Sequence, residues 1–317
     1  MYDTIIIGGG CAGLGAAMYA GRLNLKTLMV GSNIGGTIAL TDVVENYPGF
    51  IRLTGQELAD KLRKHAEEYK IDESEEKVTK ISREHGCFSV ITGDGKSYIS
   101  KTIIFATGTE WRKLGIPGEK EFANKGVHYC ALCDGAVYRN KDVAIIGGGD
   151  SAAKEALLMS QYARKVYILV RGDKLRAEPI NNERVAKNTK IEVMCNVNSK
   201  EITGDKIVRG VLLESAVKGS KTLSLDAVFV AIGHIALSQL AKSIGVATNS
   251  KGEVIINRES RTNVPGFFAA GDVCDTVFKQ AITGVSEGVT AVYSAYTYVN
   301  ENEFICPIGN EDLNLKN

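Results

Sequence analysis

The run Thr4-Ile5-Ile6-Ile7-Gly8-Gly9-Gly10-Cys11-Ala12-Gly13 decides how the chain folds. Its isoleucines favour a short buried strand. The strand breaks at once into Gly-x-Gly-x-x-Gly, and the small residues Leu14 to Ala20 carry the chain on as a helix. Strand, glycine turn and helix in this order begin a dinucleotide-binding unit. Gly8 and Gly10 let the backbone turn tightly and approach a pyrophosphate, Gly13 and Ala16 let the helix lie close on the sheet, and the helix start aims free N–H groups at the phosphates. An apolar strand, Thr27 to Val30, follows at the spacing such a unit needs. It ends in Gly31, where an acid usually holds a ribose hydroxyl.

The pattern occurs a second time. Val143 to Ile146 reads as a strand, Gly147-Gly148-Gly149-Asp150-Ser151-Ala152 as another phosphate turn, Ser151 to Ala163 as a helix and Val166 to Val170 as the next strand. Two such starts are an internal repeat and predict an α/β chain with two Rossmann-like domains, for two nucleotides or for one nucleotide and a relic. The second copy ends in Arg171, with Arg176 one turn on. Basic residues there suit the extra phosphate of NADPH, where an acid would suit the free hydroxyl of NADH.

Between the two turns lies His128-Tyr129-Cys130-Ala131-Leu132-Cys133-Asp134-Gly135. Thiols at Cys-x-x-Cys spacing form a small, reducible disulfide too local to constrain the fold. At a helix N-terminus the thiolate is stabilised and becomes a usable nucleophile. Asp134 follows immediately, placed to give or take a proton as the sulfurs change partners. The competing reading is half of a structural zinc site. Zinc wants four ligands, and Cys11, Cys87, Cys195, Cys274 and Cys306 are scattered singly, with no paired histidine spacing, so the redox reading is preferred and no metal is expected.

The remaining segments frame these motifs. Gly35-Gly36-Thr37 and Val44 to Gly49 read as loop, too rich in turn formers for a helix. Thr54 to Glu57 is a capping box opening a helix whose apolar side is Leu58, Leu62, Ala66 and Tyr69. The acidic run Glu73 to Glu76 predicts a solvated turn, and Cys87 to Ile91 and Tyr98 to Ile104 predict strands before Ala106-Thr107-Gly108; His65 and His85 read as surface residues. Late in the chain, Ala227 to Ile232 and Gly266 to Asp272 read as strands, the latter closing in an acid poised for a polyol hydroxyl, and Ala281 to Tyr293 as a helix.

A length of 317 residues, 44% apolar, suits two domains with a real core. The formal net charge of +1 gives no whole-chain reason to expect nucleic acid or an anionic membrane as partner. No apolar run approaches the roughly 18 residues that span a bilayer, and no basic, cleavable leader precedes the first strand. Seven cysteines, an odd number, fit a reducing compartment, so a cytoplasmic protein is expected.

The chain resembles the low-molecular-weight thioredoxin reductases, flavoprotein disulfide reductases with two dinucleotide domains. The resemblance runs in order through Gly8 to Gly13, Gly35-Gly36, Val44 to Gly49, Ala106-Thr107-Gly108, Cys130 to Gly135, Gly147 to Ala152, Gly233-His234, Ala269 to Asp272 and Lys279-Gln280-Ala281. The cysteine pair sits between the two turns, as in that group; in glutathione reductase and lipoamide dehydrogenase it lies near the first. What the resemblance implies is a discontinuous FAD domain, residues 1–112 plus 241–317, and an inserted NAD(P)H domain, 113–240. FAD would contact Gly8, Gly10, Cys11, Ala12 and Gly13, then Gly35, Gly36, Thr37, Asn46, Ala106, Thr107 and Gly108, with Gly271 and Asp272 at the ribityl chain and Lys279, Gln280 and Ala281 near the ring. NADPH would lie on Gly147, Gly149, Asp150, Ser151, Arg171 and Arg176. Electrons would pass from NADPH through FAD to the pair and on to thioredoxin or a thioredoxin-like protein, with Cys133 facing the flavin, Cys130 attacking the partner disulfide and Asp134 as the acid. A homodimer, and a rotation of one domain against the other, are further implications.

Three departures qualify this. Val170-Arg171-Gly172 stands where the family has His-Arg-Arg, removing one of three arginines expected around the extra phosphate. Such a charge-assisted bond contributes about 1.5–3 kcal/mol, roughly tenfold to a hundredfold in affinity. NADH, reduced ferredoxin or a deazaflavin therefore stay open as donors, and so do a ferredoxin or flavodoxin reductase and a flavin-binding redox sensor on the same fold. Cys11 replaces a proline, as drift or as a redox-sensitive thiol, and Ile235-Ala236-Leu237 replaces a more polar run.

Overall fold

The computed structural model describes residues 1–41, 44–217 and 219–306. The chain forms two compact units, Met1–Glu110 with Ile235–Asn317, and Trp111–His234. Positions 307–317, which the sequence reading assigned to the discontinuous domain, lie outside the described residues.

The discontinuous unit is built on a seven-stranded sheet. Tyr2–Ile7 pairs in parallel with Thr27–Val30 on one side and Ser97–Phe105 on the other. Ser97–Phe105 also takes Phe267–Ala269 in parallel, while Cys87–Thr92 and Val78–Glu84 extend the sheet antiparallel. Side chains alternate across the sheet: Ile5 and Ile7 pack on one face with Val30, Phe105 and Phe267, and Ile6 packs on the other with Leu14, Ala17, Met29 and Ala291. The helices Cys11–Arg22 and Ala281–Glu301 supply that second face. Thr54 and Glu57 close the expected capping box on the helix Gly55–Glu67.

Two expectations are corrected here. The acidic run is not simply a solvated turn: Asp72–Ser74 is a parallel edge strand beside Thr27–Val30, and Arg63 neutralises Glu73 at 3.1 Å. Gly36-Thr37, read as loop, opens a short 3-10 helix, Gly36–Leu40.

The unit Trp111–His234 carries a five-stranded parallel sheet, in the order Ile191–Cys195, Lys165–Val170, Asp142–Ile146, Ala227–Val230, Val127–His128. The helices Asp150–Tyr162 and Pro179–Lys187 belong to it. An antiparallel meander, Ser199–Gly204, Val208–Val217 and Ser220–Ser224, has no counterpart in the sequence reading. Its outer strands each carry a single apolar side chain, Ile202 in the first and Leu223 in the last, and Ile202 alone is buried in the first. Val127, Ile146, Val208, Val211 and Val230 share one cluster that ties meander and parallel sheet together.

Candidate active site and dinucleotide turns

In the discontinuous unit the chain leaves Tyr2–Ile7 through Gly8, whose φ is +116°. A Cβ on Gly13 would stand 1.8 Å from the Gly8 carbonyl oxygen, so the strand-to-helix turn closes only on glycine. Gly10 starts the helix Cys11–Arg22 and no side chain caps its first turn, the arrangement in which anionic oxygens find backbone N–H donors. Gly35 donates its N–H to Gly9 O at 2.8 Å and bridges Gly10, bringing the second glycine pair beside the first. Thr37 is exposed on the 3-10 turn that follows. Asn46 and Gln280, 234 positions apart, meet through an amide bond of 3.0 Å from Asn46 Nδ2 to Gln280 Oε1. Ala106 extends the sheet by donating to Ile7 O, and Thr107 Oγ1 donates to Leu237 O, whose own N–H reaches Gly108 O.

The Gly271-Asp272 turn is held from below. The Gly271 N–H donates to Glu287 Oε2 at 2.8 Å, and Thr276 Oγ1 bonds the other oxygen of that carboxylate. Lys279 Nζ donates to the carbonyls of Asp272 and Cys274 and pairs with Glu253 at 2.9 Å. Lys279 thus organises the turn from within, while Ala281 opens the last long helix behind the Gln280 cap. Burial, then the nearby Asp272 carboxylate, push the Cys11 thiol up to about 12. It stays a thiol at physiological pH, which removes the nucleophilic form a reactive sensor cysteine needs. An uncapped helix start over a glycine cradle, with the Gly271-Asp272 turn packed so closely on Ala12 of that helix that a Cβ on Gly271 would stand 2.9 Å from the Ala12 Cβ, fits a dinucleotide with a polyol such as FAD.

The second turn repeats the first with one difference. A Cβ on Gly147 would lie 2.2 Å from Ala231 O, and Gly149 begins the helix Asp150–Tyr162 with no side-chain cap. Asp150 is engaged by the protein itself: Oδ1 accepts from the Glu178 N–H and Asn181 Nδ2, and Oδ2 pairs with Lys154 at 2.8 Å. Burial pushes its carboxyl up, but these donors outweigh burial and leave it below the usual range. The Arg176 N–H donates to Gly148 O at 2.8 Å, which sets Arg176 beside the turn; Arg171 and Arg176 are both exposed, and Ser151 is exposed in the first turn of the helix. A glycine turn with an uncapped helix start fits a nicotinamide dinucleotide.

The same unit carries the cysteine pair. Cys130 caps the single helical turn Ala131–Asp134, and Cys133 bonds it as a disulfide with Cα atoms 5.4 Å apart. The Cys133 N–H donates to Cys130 Sγ at 3.1 Å. With only one turn behind it, that directed N–H and its neighbours do the work the sequence reading gave to a helix dipole. Cys130 is 7% exposed, whereas Cys133 faces solvent. Asp134 Oδ2 lies 3.1 Å from His128 Nδ1, and His128 Nε2 shares a 2.7 Å bond with Tyr138 Oη. Burial, then Asp134 and Asp226, push the Tyr138 phenol up, so it stays protonated. Beneath, Tyr129 donates to Glu119 Oε1 at 2.8 Å, and Glu119 also receives the N–H groups of Leu114 and Gly115. No cluster that could hold a metal ion occurs among the described residues.

The sequence reading missed His128, Tyr138 and Glu287. His128 stood inside the quoted motif, and Glu287 is the only charged residue between Ala281 and Asn300. A lone acid in a small-residue helix was the available signal.

Two glycine turns in separate α/β units and a reducible pair at a strand-to-helix junction define a dinucleotide-dependent disulfide reductase. The chain belongs to the pyridine nucleotide-disulphide oxidoreductases, whose family model matches residues 2–288. It is 42% identical over 302 residues to a thioredoxin reductase of Treponema pallidum, covering 94% of this chain and 97% of that one. It is 40% identical over 306 residues to a thioredoxin reductase of Listeria monocytogenes, covering 95% of each. The crystal structure of Lactococcus lactis thioredoxin reductase superposes with a TM-score of 0.92 at 38% identity, over 95% of this chain and 100% of that one. The chain is a flavoprotein disulfide reductase of the low-molecular-weight thioredoxin reductase type.

Proposed function

We propose that the enzyme reduces the disulfide of thioredoxin, or of a thioredoxin-like protein, with NADPH as donor. The unit Met1–Glu110 with Ile235–Asn317 would hold FAD on Gly8 to Gly13, Gly35 to Thr37, Asn46 and Asp272. The unit Trp111–His234 would hold NADPH on Gly147 to Ser151 with Arg171 and Arg176 at the extra phosphate. Bound there, the flavin supplies two-electron transfer between a hydride donor and a disulfide.

The chain's own residues do the rest. Two electrons and two protons open the Cys130–Cys133 disulfide. The Cys133 N–H stabilises the Cys130 thiolate, which attacks one sulfur of the partner disulfide and expels the other as a thiolate. Asp134 delivers the proton that thiolate takes up. Cys133 then attacks Cys130 Sγ, releasing the reduced partner and closing the pair again. Because Cys130 is the covered sulfur of the oxidised pair, its attack requires that it be uncovered after reduction. The homodimer and cytoplasmic location rest on the resemblance and on thiol chemistry that suits a reducing compartment. No described helix is long and apolar enough to cross a membrane.

The observation that carries this reading is the N–H bond onto Cys130 Sγ inside the unit that also holds the second glycine turn. Anaerobic mixing of the yellow protein with NADPH, and separately with NADH, tests it: NADPH alone bleaches the flavin rapidly, and thioredoxin restores the colour. A second donor class is favoured by Gly172, which leaves two arginines at the rim. Bleaching by neither nucleotide, with dithionite still effective, moves the assignment to reduced ferredoxin or a deazaflavin.

A further inference from the structure

Cys87 and Cys306, read in the sequence as single cysteines, are joined as a disulfide across 219 positions with Cα atoms 5.5 Å apart. Cys87 opens the strand Cys87–Thr92 and is 2% exposed, whereas Cys306 is only half-buried. The segment that brings Cys306 there follows the last long helix. Asn302 Nδ2 donates to Tyr298 O at 2.8 Å, and the Phe304 ring packs against Tyr298 with centroids 5.9 Å apart. The Lys101 ammonium lies 5.7 Å over Phe304 and is itself held by Asp3 at 2.7 Å. Ile305 between them is 86% exposed, so Phe304 and Cys306 turn inward on either side of an outward residue. The bond joins the two pieces of the discontinuous unit: Cys87 belongs to Met1–Glu110 and Cys306 to Ile235–Asn317, and the whole of Trp111–His234 lies inside the covalent loop.

We propose that Cys87 and Cys306 form a second thiol–disulfide couple, independent of Cys130 and Cys133, that seals the discontinuous unit under oxidising conditions and is opened and closed through Cys306. An external thiolate attacks the accessible Cys306 Sγ; the bond to Cys87 breaks, and Cys87 leaves with the electron pair as a thiolate. A second thiolate attacks the mixed disulfide on its outer sulfur, giving the external disulfide and the Cys306 thiolate; the two cysteine thiolates take up two protons. Closure is the reverse, with a small-molecule disulfide as oxidant. A loop this long restricts the unfolded chain strongly when closed, so the couple sets how firmly the unit holds together.

The test equilibrates the holoenzyme in glutathione buffers from fully reduced to fully oxidised, quenches with an alkylating agent and maps linked peptides by mass spectrometry. The Cys87–Cys306 peptide is expected to appear as the buffer turns oxidising, in wild type and in Cys133→Ser alike. The oxidised form should melt on the order of 5–10 °C above the reduced form, a difference abolished in Cys306→Ser. Cys87→Ser should accumulate a glutathione adduct on Cys306, while Cys306→Ser leaves native Cys87 unmodified. Both cysteines alkylated in every buffer, a melting temperature indifferent to the buffer, or an adduct on Cys87 in Cys306→Ser would each overturn the proposal. Disulfide reductase turnover of Cys306→Ser serves as the control that the variant is folded.

Discussion

His128 Nδ1 stands 3.1 Å from Asp134 Oδ2, close enough for an ion contact but not aligned as a hydrogen bond, while its Nε2 shares a 2.7 Å bond with Tyr138 Oη. The imidazole is clamped by stacking on Phe229 at 5.3 Å. Nε2 is therefore spent on Tyr138, while Nδ1 faces the Asp134 carboxylate across 3.1 Å, beside the cysteine pair.

Asp134→Asn is expected to slow reduction of the partner disulfide by about 10²-fold, the lower range for loss of a positioned proton donor, with flavin reduction by the nicotinamide unchanged. His128→Ala should cost roughly tenfold. If His128 acts through Asp134, the double variant is no slower than Asp134→Asn alone, and stopped-flow traces of the two half-reactions read this directly. Additive losses would give His128 a separate role.

The roles of the sulfurs separate in single substitutions. Cys133→Ser should form a stable mixed disulfide between Cys130 and the partner, because the resolving sulfur is gone. Cys130→Ser should trap none, although its remaining Cys133 is the more exposed of the two in the oxidised pair. Non-reducing electrophoresis with a single-cysteine thioredoxin, pre-charged as its mixed disulfide with thionitrobenzoate so that the attacking thiolate expels the aryl thiolate, shows which adduct accumulates; the reverse result would exchange the two assignments.

Much of this is legible in the sequence, for a reason visible in the glycines and the cysteine pair. Gly13 is demanded by a clash with the Gly8 carbonyl inside one turn, and Gly8 takes a φ of +116° there, so their spacing carries the geometry. The Cys130–Cys133 pair is equally local. What stayed hidden depends on distant partners: Glu287 reaches Gly271 from another helix, and Cys87 meets Cys306 across most of the chain. Val78–Glu84 and the meander were missed because each outer strand buries too few residues to write an apolar run. Asp72–Ser74 was masked by acids that Arg63 neutralises from a neighbouring helix.

The glycine argument makes a paired prediction. Gly13→Ala drives a methyl to 1.8 Å from Gly8 O and should yield protein retaining at least tenfold less flavin per chain. Gly149→Ala meets no heavy atom within 4 Å and should fold and keep its flavin. Absorbance ratios of the purified proteins decide; a yellow Gly13→Ala would show that the first turn can open.

Donor preference should follow the rim of the second turn. Gly172 has an ordinary backbone there, and a Cβ would meet only the flexible end of Arg176, at 3.1 Å. Gly172→Arg should therefore tighten NADPH by tenfold to a hundredfold, as one charge-assisted phosphate bond does, and leave NADH within a few-fold. Equal gains for both nucleotides would place the new charge away from the extra phosphate.

Glu155, on the helix that opens at the second turn, gives the pH prediction. Its Oε2 is buried without a hydrogen-bond partner, and desolvation alone pushes the carboxyl from 4.5 up to about 8. A folded-state pKa above the unfolded one means the native protein holds the proton more tightly. Its contribution is thus fully present below about 4.5 and is lost as pH rises to about 8, where the carboxylate ionises in place. Glu155→Gln cannot ionise and escapes that loss, at a pH-independent cost for its own amide. The stability difference between variant and wild type should consequently move in the variant's favour from pH 4.5 to 8, by a few kcal/mol, and stay flat above. Melting curves across that range check the slope. A difference independent of pH would mean that Glu155 finds a partner or water that solvates its charge in the folded protein.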